Sequence, residues 1–133
     1  PGFLLIRECI KNNLEVECLP GPTALIPALV QSGISCQRFI FEGFLPLKKG
    51  RKKRMQSLSE EKKTVIIYES PHRIIKTLTQ LLVFLGEDRL ISIIKEISKI
   101  HEETLRGKIS DIIHLFDEIK PRGEFVIVID GKK

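Results

Sequence analysis

Residues 124–129 read Glu-Phe-Val-Ile-Val-Ile, and four of these six side chains are β-branched. A strand that is apolar on both faces belongs in the interior of a sheet, because both of its faces must be covered. Two further apolar runs, at 64–68 and 90–97, are typical of strands, and residues 39–45 indicate another strand or extended segment. The sequence therefore predicts a sheet with 124–129 near its centre.

Helical patterns alternate with these strands. Apolar residues between Ile74 and Leu85 recur at helical spacing, and Gly86 ends the pattern. Further helices are predicted over 3–12, 24–32 and 109–119, with a polar helix or mobile arm over the basic residues near 50 and over 55–61. Residues 101–106 indicate a strand joined to 90–97 by a short link, which favours an antiparallel pair. The predicted fold is α/β, a mixed sheet flanked by helices.

The segment 14–24 is predicted to be a strand, a turn and the start of a helix. Residues 14–19 alternate apolar with acidic side chains, which is typical of a half-buried strand. A tight turn is then indicated by Pro20, Gly21 and Pro22, and Thr23 can cap the helix that follows. Glycine at such a turn lets a ligand approach the backbone closely, although the same turn is common in proteins that bind nothing there.

The composition is that of a globular domain. The chain has 133 residues, of which 42% are hydrophobic and 29% are charged. The longest apolar runs are far shorter than the roughly 18 residues that span a bilayer, so no membrane segment is predicted. Three cysteines without CxxC spacing favour free thiols in a reducing cytosol, and hence a cytoplasmic protein. No cluster of side chains has the spacing of a metal site.

The positive charge is concentrated in one tract. Six of the seven residues from 48 to 54 are basic: Lys48, Lys49, Arg51, Lys52, Lys53 and Arg54. Without those six, 16 basic residues remain against 17 acidic ones, so the tract alone makes the chain basic. Clustered cations attract the phosphates of nucleic acids. A solvated loop is the plain alternative, and a membrane surface is a third, although no apolar face accompanies the tract.

Two other groups of ionisable residues stand near predicted strand ends. The first is Tyr-Glu-Ser-Pro-His-Arg at 68–73, where Ser70 and Pro71 are predicted to cap and begin a helix. The second is Lys-Glu-Ile-Ser-Lys at 95–99. Strand ends are where α/β folds build their sites, but both groups are also compatible with a capped helix and a solvated strand end.

The order of these motifs resembles a known family. The motifs are Pro-Gly-Pro-Thr-Ala (20–24), Phe-Glu-Gly-Phe-Leu-Pro (41–46), the basic tract, Tyr-Glu-Ser-Pro-His-Arg (68–73), Lys-Glu-Ile-Ser-Lys (95–99) and Gly-Glu-Phe-Val-Ile-Val-Ile (123–129). Together they resemble the C-terminal part of the ribosomal RNA small subunit methyltransferase I family, the cytidine 2′-O-methyltransferase branch of the tetrapyrrole methylase superfamily. On this resemblance, residues 1–12 are the tail helix of a missing N-terminal domain, and 13–133 are the C-terminal α/β methylase domain.

The resemblance implies a cofactor site. Members of the superfamily bind S-adenosylmethionine between two α/β domains. The residues implied to approach or line the cofactor are Pro20, Gly21, Pro22, Thr23, Ala24 and Tyr68, with Gly123 and Glu124 bordering the adenine. The implied partners are small-subunit (16S) ribosomal RNA, bound by the basic tract, and the missing N-terminal domain, and a homodimer is a further expectation.

The implied reaction is methylation of a cytidine ribose hydroxyl, which is a poor nucleophile and needs a nearby base or cation. Glu42, Glu69 and Glu96 are candidates for the base, and the adjacent pair Lys95 and Glu96 ranks first as catalytic. Because successive strand residues face opposite ways, a bend would be needed for both to serve one site. Two other functions stay open: a methylase of small tetrapyrroles, which the basic tract disfavours, and a non-enzymatic RNA-binding module.

Overall fold

The computed structural model describes residues 2–116 and 120–133, which contain five helices and five strands. In chain order the elements are α1 Gly2–Lys11, α2 Leu25–Ser32, β1 Phe39–Phe44, α3 Arg51–Glu60, β2 Thr64–Glu69, α4 Ile74–Leu85, β3 Leu90–Lys95, β4 Glu103–Lys108, α5 Ile109–His114 and β5 Phe125–Ile129. The predicted helix 109–119 is confirmed as far as residue 114, and its part over 117–119 lies outside the described residues.

One mixed sheet carries the fold, with the strand order β1-β2-β5-β3-β4. Strands β1 and β2 are parallel, and the other neighbours are antiparallel, including the predicted pair β3 and β4. All residues of β5 are buried, and Ile127 pairs with Ile67 on one side and Ile93 on the other. The prediction that this apolar strand is central is confirmed.

The two faces of the sheet are covered unequally. Helices α3, α4 and α5 pack on one face, with Leu78 and Ile112 among the buried contacts. Among the helices of the described ranges, only α2 packs on the other face, where Ala28 and Leu29 meet Ile66 and neighbouring strand residues. We call these the three-helix face and the α2 face. Because side chains alternate along a strand, the residue number decides which face each strand residue serves.

The prediction of a strand over 14–19 is wrong. These residues have no regular structure and are exposed, including Leu14 and Leu19. A strand persists only where another strand satisfies its backbone groups, and none of the described strands pairs with this segment. Helix α1 is confirmed as a helix, but none of its residues is buried.

Two predicted boundaries also move. Helix α4 begins at Ile74 and not at Ser70-Pro71, because residues 71–73 form a turn in which the amides of Arg73 and Ile74 both donate to the Ser70 carbonyl. Strand β3 ends at Lys95 and not at 97, because Glu96 adopts a left-handed backbone conformation with φ 51°.

The basic tract forms a packed helix and not a mobile arm. Gly50, with φ 84°, precedes α3, and Arg51, Met55 and Leu58 are buried on one side of it. Lys48 and Lys49 lie in the loop before the helix. The tract is therefore held rigidly on the three-helix face through the core contacts of its own helix.

Candidate functional site

A cavity of about 340 Å³ lies at the end of the sheet where β1 and β2 finish and β5 begins. The residues around it come from five separate parts of the chain and include Ala24, Phe44, Tyr68, Ser70, Ile97 and Glu124. The resemblance assigned three of them to cofactor binding, although they lie far apart in the sequence. Phe44 and Ile97 were not predicted as site residues, because only the folded sheet brings them to this end.

Tyr68 reaches the cavity from β2. It is the last residue of that strand to face α2, and its ring makes edge-to-face contacts with Phe41 at 4.9 Å and Phe44 at 5.9 Å between centroids. The contacts fix an aromatic wall on one side of the cavity.

The tight turn predicted at 20–22 is not formed as a hydrogen-bonded turn: residues 20–23 have no regular structure, and the segment borders the cavity at Ala24. A Cβ atom built on Gly21 would meet nothing within 4 Å, and Gly21 does not have a positive φ. The turn therefore does not need glycine for its own conformation, and the open space around Gly21 is what allows a ligand or another segment to approach. The prediction that Thr23 caps the helix is wrong, because the N-cap of α2 is Ala24 and makes no side-chain cap. The hydroxyl of Thr23 instead accepts a hydrogen bond from the Leu25 amide at 3.4 Å.

Gly123 and Glu124 are held against the turn after β3. The Glu96 carboxylate accepts hydrogen bonds from the Glu124 amide at 2.8 Å and from Lys99 Nζ at 2.8 Å. A Cβ atom on Gly123, whose φ is +88°, would lie 2.5 Å from the Glu96 side chain. The positive φ favours glycine here, and any larger residue would also force the Glu96 side chain to move from its hydrogen bonds.

Glu96 is therefore a poor candidate for a general base. The pKa of this carboxyl lies below its ordinary value, mainly because of the hydrogen bond from Lys99 and next because of the hydrogen bond from the Glu124 amide. The pKa of Lys99 is raised in turn, mainly by its hydrogen bond to the Glu96 carboxylate and next by its hydrogen bond to the Glu124 carboxylate. A carboxylate whose lone pairs already accept these donors holds backbone in place and is less able to take a proton.

Lys95 does not join Glu96 in one site. It extends from β3 toward the three-helix face, forms an ion pair with Glu103 at 3.6 Å, and borders a different cavity together with Phe116. Glu96 lies beyond the bend at the strand end, on the side of Glu124. The first-ranked pair is therefore separated at the strand end, where the left-handed backbone of Glu96 directs its carboxylate toward Glu124 and Lys99.

Glu69 is the centre of a buried polar network. Its carboxylate accepts hydrogen bonds from the Ser70 amide at 2.8 Å and from Thr77 Oγ1 at 2.7 Å, and it pairs with Arg73 Nη2 at 2.6 Å. Both oxygens are engaged, and the residue is only 2% exposed. Glu69 therefore fastens the 70–73 turn to α4, which explains the Glu and the Arg of that motif without a catalytic role.

The network extends to Arg51, which corrects its predicted role in RNA binding. The guanidinium donates to Thr77 Oγ1 at 2.7 Å, to Gln80 Oε1 at 2.7 Å and to the Pro46 carbonyl at 3.1 Å. Burial, acting against the nearby Glu69 charge, lowers the pKa of Arg51. The spacing of Arg51 with the apolar residues at 55 and 58 is the sequence signal that places it on the buried side of α3.

The other basic residues of the tract are exposed. They are Lys48, Lys49, Lys52, Lys53 and Arg54, which we call the basic surface. Arg54 Nε also forms an ion pair with the Glu42 carboxylate at 3.1 Å. Glu42 is the third candidate for the base, and its carboxylate is therefore already engaged. The basic surface remains a continuous set of cations beside the loop that leaves β1.

Metal-binding clusters and membrane-spanning helices are both absent from the described part of the chain. Over 2–116 and 120–133, no group of three or more His, Cys, Asp or Glu side chains is arranged to hold a metal ion. No helix in these ranges combines the length and the apolar character needed to cross a membrane.

The family model of the tetrapyrrole (corrin/porphyrin) methylases matches residues 1–113. Ribosomal RNA small subunit methyltransferase I of Synechocystis is 46% identical over 132 residues, covering 98% of this chain and 47% of the relative. The protein of the same name from Thermotoga maritima is 42% identical over 133 residues, covering 100% of this chain and 60% of the relative. The chain thus spans about half the length of the curated relatives it matches.

Solved structures share the fold at low sequence identity. Cobalt precorrin-4 methyltransferase, a cobalamin biosynthetic enzyme, has a TM-score of 0.68 and 15% identity, covering 96% of this chain and 57% of that one. Uroporphyrin-III C-methyltransferase from Thermus thermophilus, solved with S-adenosyl homocysteine, has a TM-score of 0.60 and 14% identity, covering 96% and 58%. These likenesses concern the fold of the chain.

Proposed function

The chain belongs to the tetrapyrrole (corrin/porphyrin) methylase family, and we propose that it acts as the C-terminal part of an S-adenosylmethionine-dependent methyltransferase of small-subunit ribosomal RNA. We propose further that the acceptor is a cytidine 2′-hydroxyl. The names of the relatives support the RNA substrate, and one structural neighbour was solved with S-adenosyl homocysteine.

The observation that carries the proposal is the convergence of Ala24, Tyr68 and Glu124 on one cavity. These residues belong to the three segments that the resemblance assigns to the cofactor. The cavity's size is at the lower end of small-molecule sites, which measure about 300–1,000 Å³. The residues fit one side of a nucleoside-binding cleft, and we propose that the remaining half of the protein supplies the other side.

When bound, S-adenosylmethionine would supply an activated methyl group on its sulfonium. The residues of this chain would hold it in place. The open backbone at Gly21 allows close approach, the Tyr68 ring forms an apolar wall, and Glu96 keeps the 123–124 backbone in position. Glu42, Glu69 and Glu96 all accept other donors, so we propose that the proton acceptor comes from outside this set.

The basic surface favours RNA over a small tetrapyrrole as the substrate. Five exposed cations stand on one loop and the first turn of one helix. Such a surface attracts a polyanion and is unnecessary for a macrocycle that is enclosed in a cleft. The cobalt precorrin-4 methyltransferase, at 15% identity, shares its fold with this chain, and a shared fold does not favour a tetrapyrrole substrate.

The test is methyl transfer by the whole protein that contains this chain. It is incubated with methyl-labelled S-adenosylmethionine and unmodified small ribosomal subunits, and the RNA is digested to nucleosides for mass spectrometry. We expect labelled 2′-O-methylcytidine. Label on a tetrapyrrole acceptor alone would favour the small-molecule methylase, and RNA binding without cofactor binding would favour the non-enzymatic module.

A further inference from the structure

A β-bulge in β1 turns Phe44 toward the cavity. The pairing of β1 with β2 runs in register to Phe41, which lies opposite Ile66, and then skips Glu42 so that Phe44 lies opposite Tyr68. Phe41 and Phe44 are three positions apart and would face opposite ways on a regular strand. The bulge places both rings on the side of Tyr68, and bulges recur beside sites because they re-aim a side chain in this way.

The Phe44 ring is held in place and is still exposed. Tyr68 contacts its edge, and Arg73 Cζ lies over the ring at 5.8 Å from the centroid. Arg73 is itself fixed by its ion pair with the buried Glu69. Nevertheless, Phe44 is 62% exposed. An oriented aromatic ring beside a guanidinium group is the arrangement on which proteins stack unpaired bases.

The same part of the chain carries the basic surface. The skipped bulge residue, Glu42, pairs with Arg54 of α3 at 3.1 Å, and the Pro46 carbonyl accepts a hydrogen bond from Arg51 at 3.1 Å. These contacts fasten the β1 end and the following loop to the basic helix. The basic surface is thus connected to the end of β1 that carries Phe44, and in the proposed complex one RNA strand lies across both.

We propose that Phe44, supported by Tyr68 and Arg73, is the surface on which an unpaired base of the RNA substrate stacks at the mouth of the cavity. The inference rests on the proposed function. An acceptor ribose buried in a duplex is reached by unstacking its nucleotide, and a stacking surface beside the cofactor cavity offsets part of that cost. Stacking on a ring does not depend on the identity of the base, so Phe44 contributes affinity for exposed bases.

The experiment uses the whole protein and a single-stranded oligoribonucleotide, with and without one central abasic position. The variants are Phe44→Leu, which removes the ring, and Phe44→Trp, which keeps a stacking surface. Phe39→Leu, at the other end of the same strand, is the matched control. Dissociation constants for the RNA and, separately, for S-adenosylhomocysteine are measured by fluorescence anisotropy and calorimetry.

Phe44→Leu should weaken RNA binding by roughly five- to a hundredfold, the range for removal of one base–aromatic stack. Because Phe44 also borders the cavity, some loss of S-adenosylhomocysteine affinity is expected, but the loss of RNA affinity should be the larger one. The loss of RNA affinity should shrink on the RNA that is abasic at the stacked position. Phe44→Trp should restore binding, and Phe39→Leu should match the wild type.

Equal RNA affinity of wild type and Phe44→Leu would overturn the inference and leave the proposed function standing. A fall in cofactor affinity as large as the fall in RNA affinity would overturn the inference by making the ring a cofactor contact only, and a fall in stability would place it beneath the other half of the protein. A wild-type protein that binds no RNA at all would contradict the proposed function itself.

Discussion

Gly123 and Gly21 stand in two of the segments assigned to the cofactor, but for different physical reasons. Gly123 has a positive φ, and an added Cβ would meet the Glu96 side chain at 2.5 Å, whereas a Cβ on Gly21 would meet nothing within 4 Å. We expect Gly123→Ala to lower the free energy of unfolding by about 1–3 kcal/mol, the usual cost of such a backbone state. Denaturant titration of both alanine variants measures this, and Gly21→Ala should leave stability unchanged.

Gly21→Val should instead weaken cofactor binding in the whole protein. The bulky side chain fills the open space at the turn, while nothing in the described fold of this chain occupies that space. Calorimetry with S-adenosylhomocysteine measures the effect, and a denaturant titration on the same sample verifies that stability is kept. Normal cofactor affinity in this variant would make the turn a plain structural one.

Glu96 makes a pH-dependent contribution to stability. Its pKa is lowered from an ordinary value of 4.5, mainly by the Lys99 hydrogen bond, so folding favours the ionised form. The contribution is present above pH 4.5 and disappears as the pH falls through the lower pKa of the folded protein. Urea titrations across this range should show Glu96→Gln less stable than wild type at neutral pH, with the difference closing in acid. Glu17→Gln, in the exposed 14–19 segment, is the control, and a difference that stays constant would contradict the assignment.

At the scale of elements, the Thr77 hydroxyl joins α3 and α4 to the end of β2. It accepts from Arg51 and donates to Glu69, and Thr77 is fully buried. We expect Thr77→Val to destabilise the protein by about 1–3 kcal/mol, because it preserves the shape and leaves buried polar groups without this partner. Thermal or urea unfolding measures the change. Thr79→Val, on the exposed side of the same helix, should cost about 0.5 kcal/mol or less, and equal effects of the two variants would refute the network.

The basic surface can be tested with matched lysine pairs. Lys52 and Lys53 lie on it, whereas Lys62 and Lys63 are also exposed but precede β2, at the opposite end of that strand from the cavity. Replacing Lys52 and Lys53 by Ser should flatten the dependence of log affinity for RNA on log salt, by roughly 0.7–0.9 for each phosphate that is no longer bound. The Lys62/Lys63 double variant should keep the wild-type slope, and a slope that the first pair leaves unchanged would return the tract to a solvated loop. Arg51 is left intact, since its removal would break the buried network.

The sequence predicts elements well where the pattern reports burial directly. The apolar run at 124–129 is central because both of its faces are covered, and 74–85 is a helix because its apolar face packs. The alternation at 14–19 indicates an apolar face but does not reveal which element would cover it. The predicted strand is absent from the described sheet. Adjacent residues at a strand end likewise suggest a pair at Lys95 and Glu96, but the backbone bend at Glu96, which the sequence does not reveal, directs the two side chains to different partners.

At the scale of the whole molecule, we propose that the cavity forms one wall of a site. The chain spans about half the length of its relatives, and the assigned cofactor residues around the cavity lie together on the α2 face. We expect this chain alone to bind S-adenosylmethionine weakly or not at all in a calorimetric titration. The whole protein should bind it, and a low-micromolar dissociation constant for the isolated chain would contradict a site shared between two halves.

Hydrogen exchange of the whole protein, with and without S-adenosylhomocysteine, tests most directly whether the α2 face holds the cofactor. We predict new protection of backbone amides around the cavity, in the segments 68–71, 96–97 and 124–126. We predict none at Leu105 and Phe116, which border the Lys95 cavity on the three-helix face. Protection confined to that second cavity, with none around Tyr68, would contradict a cofactor site on the α2 face.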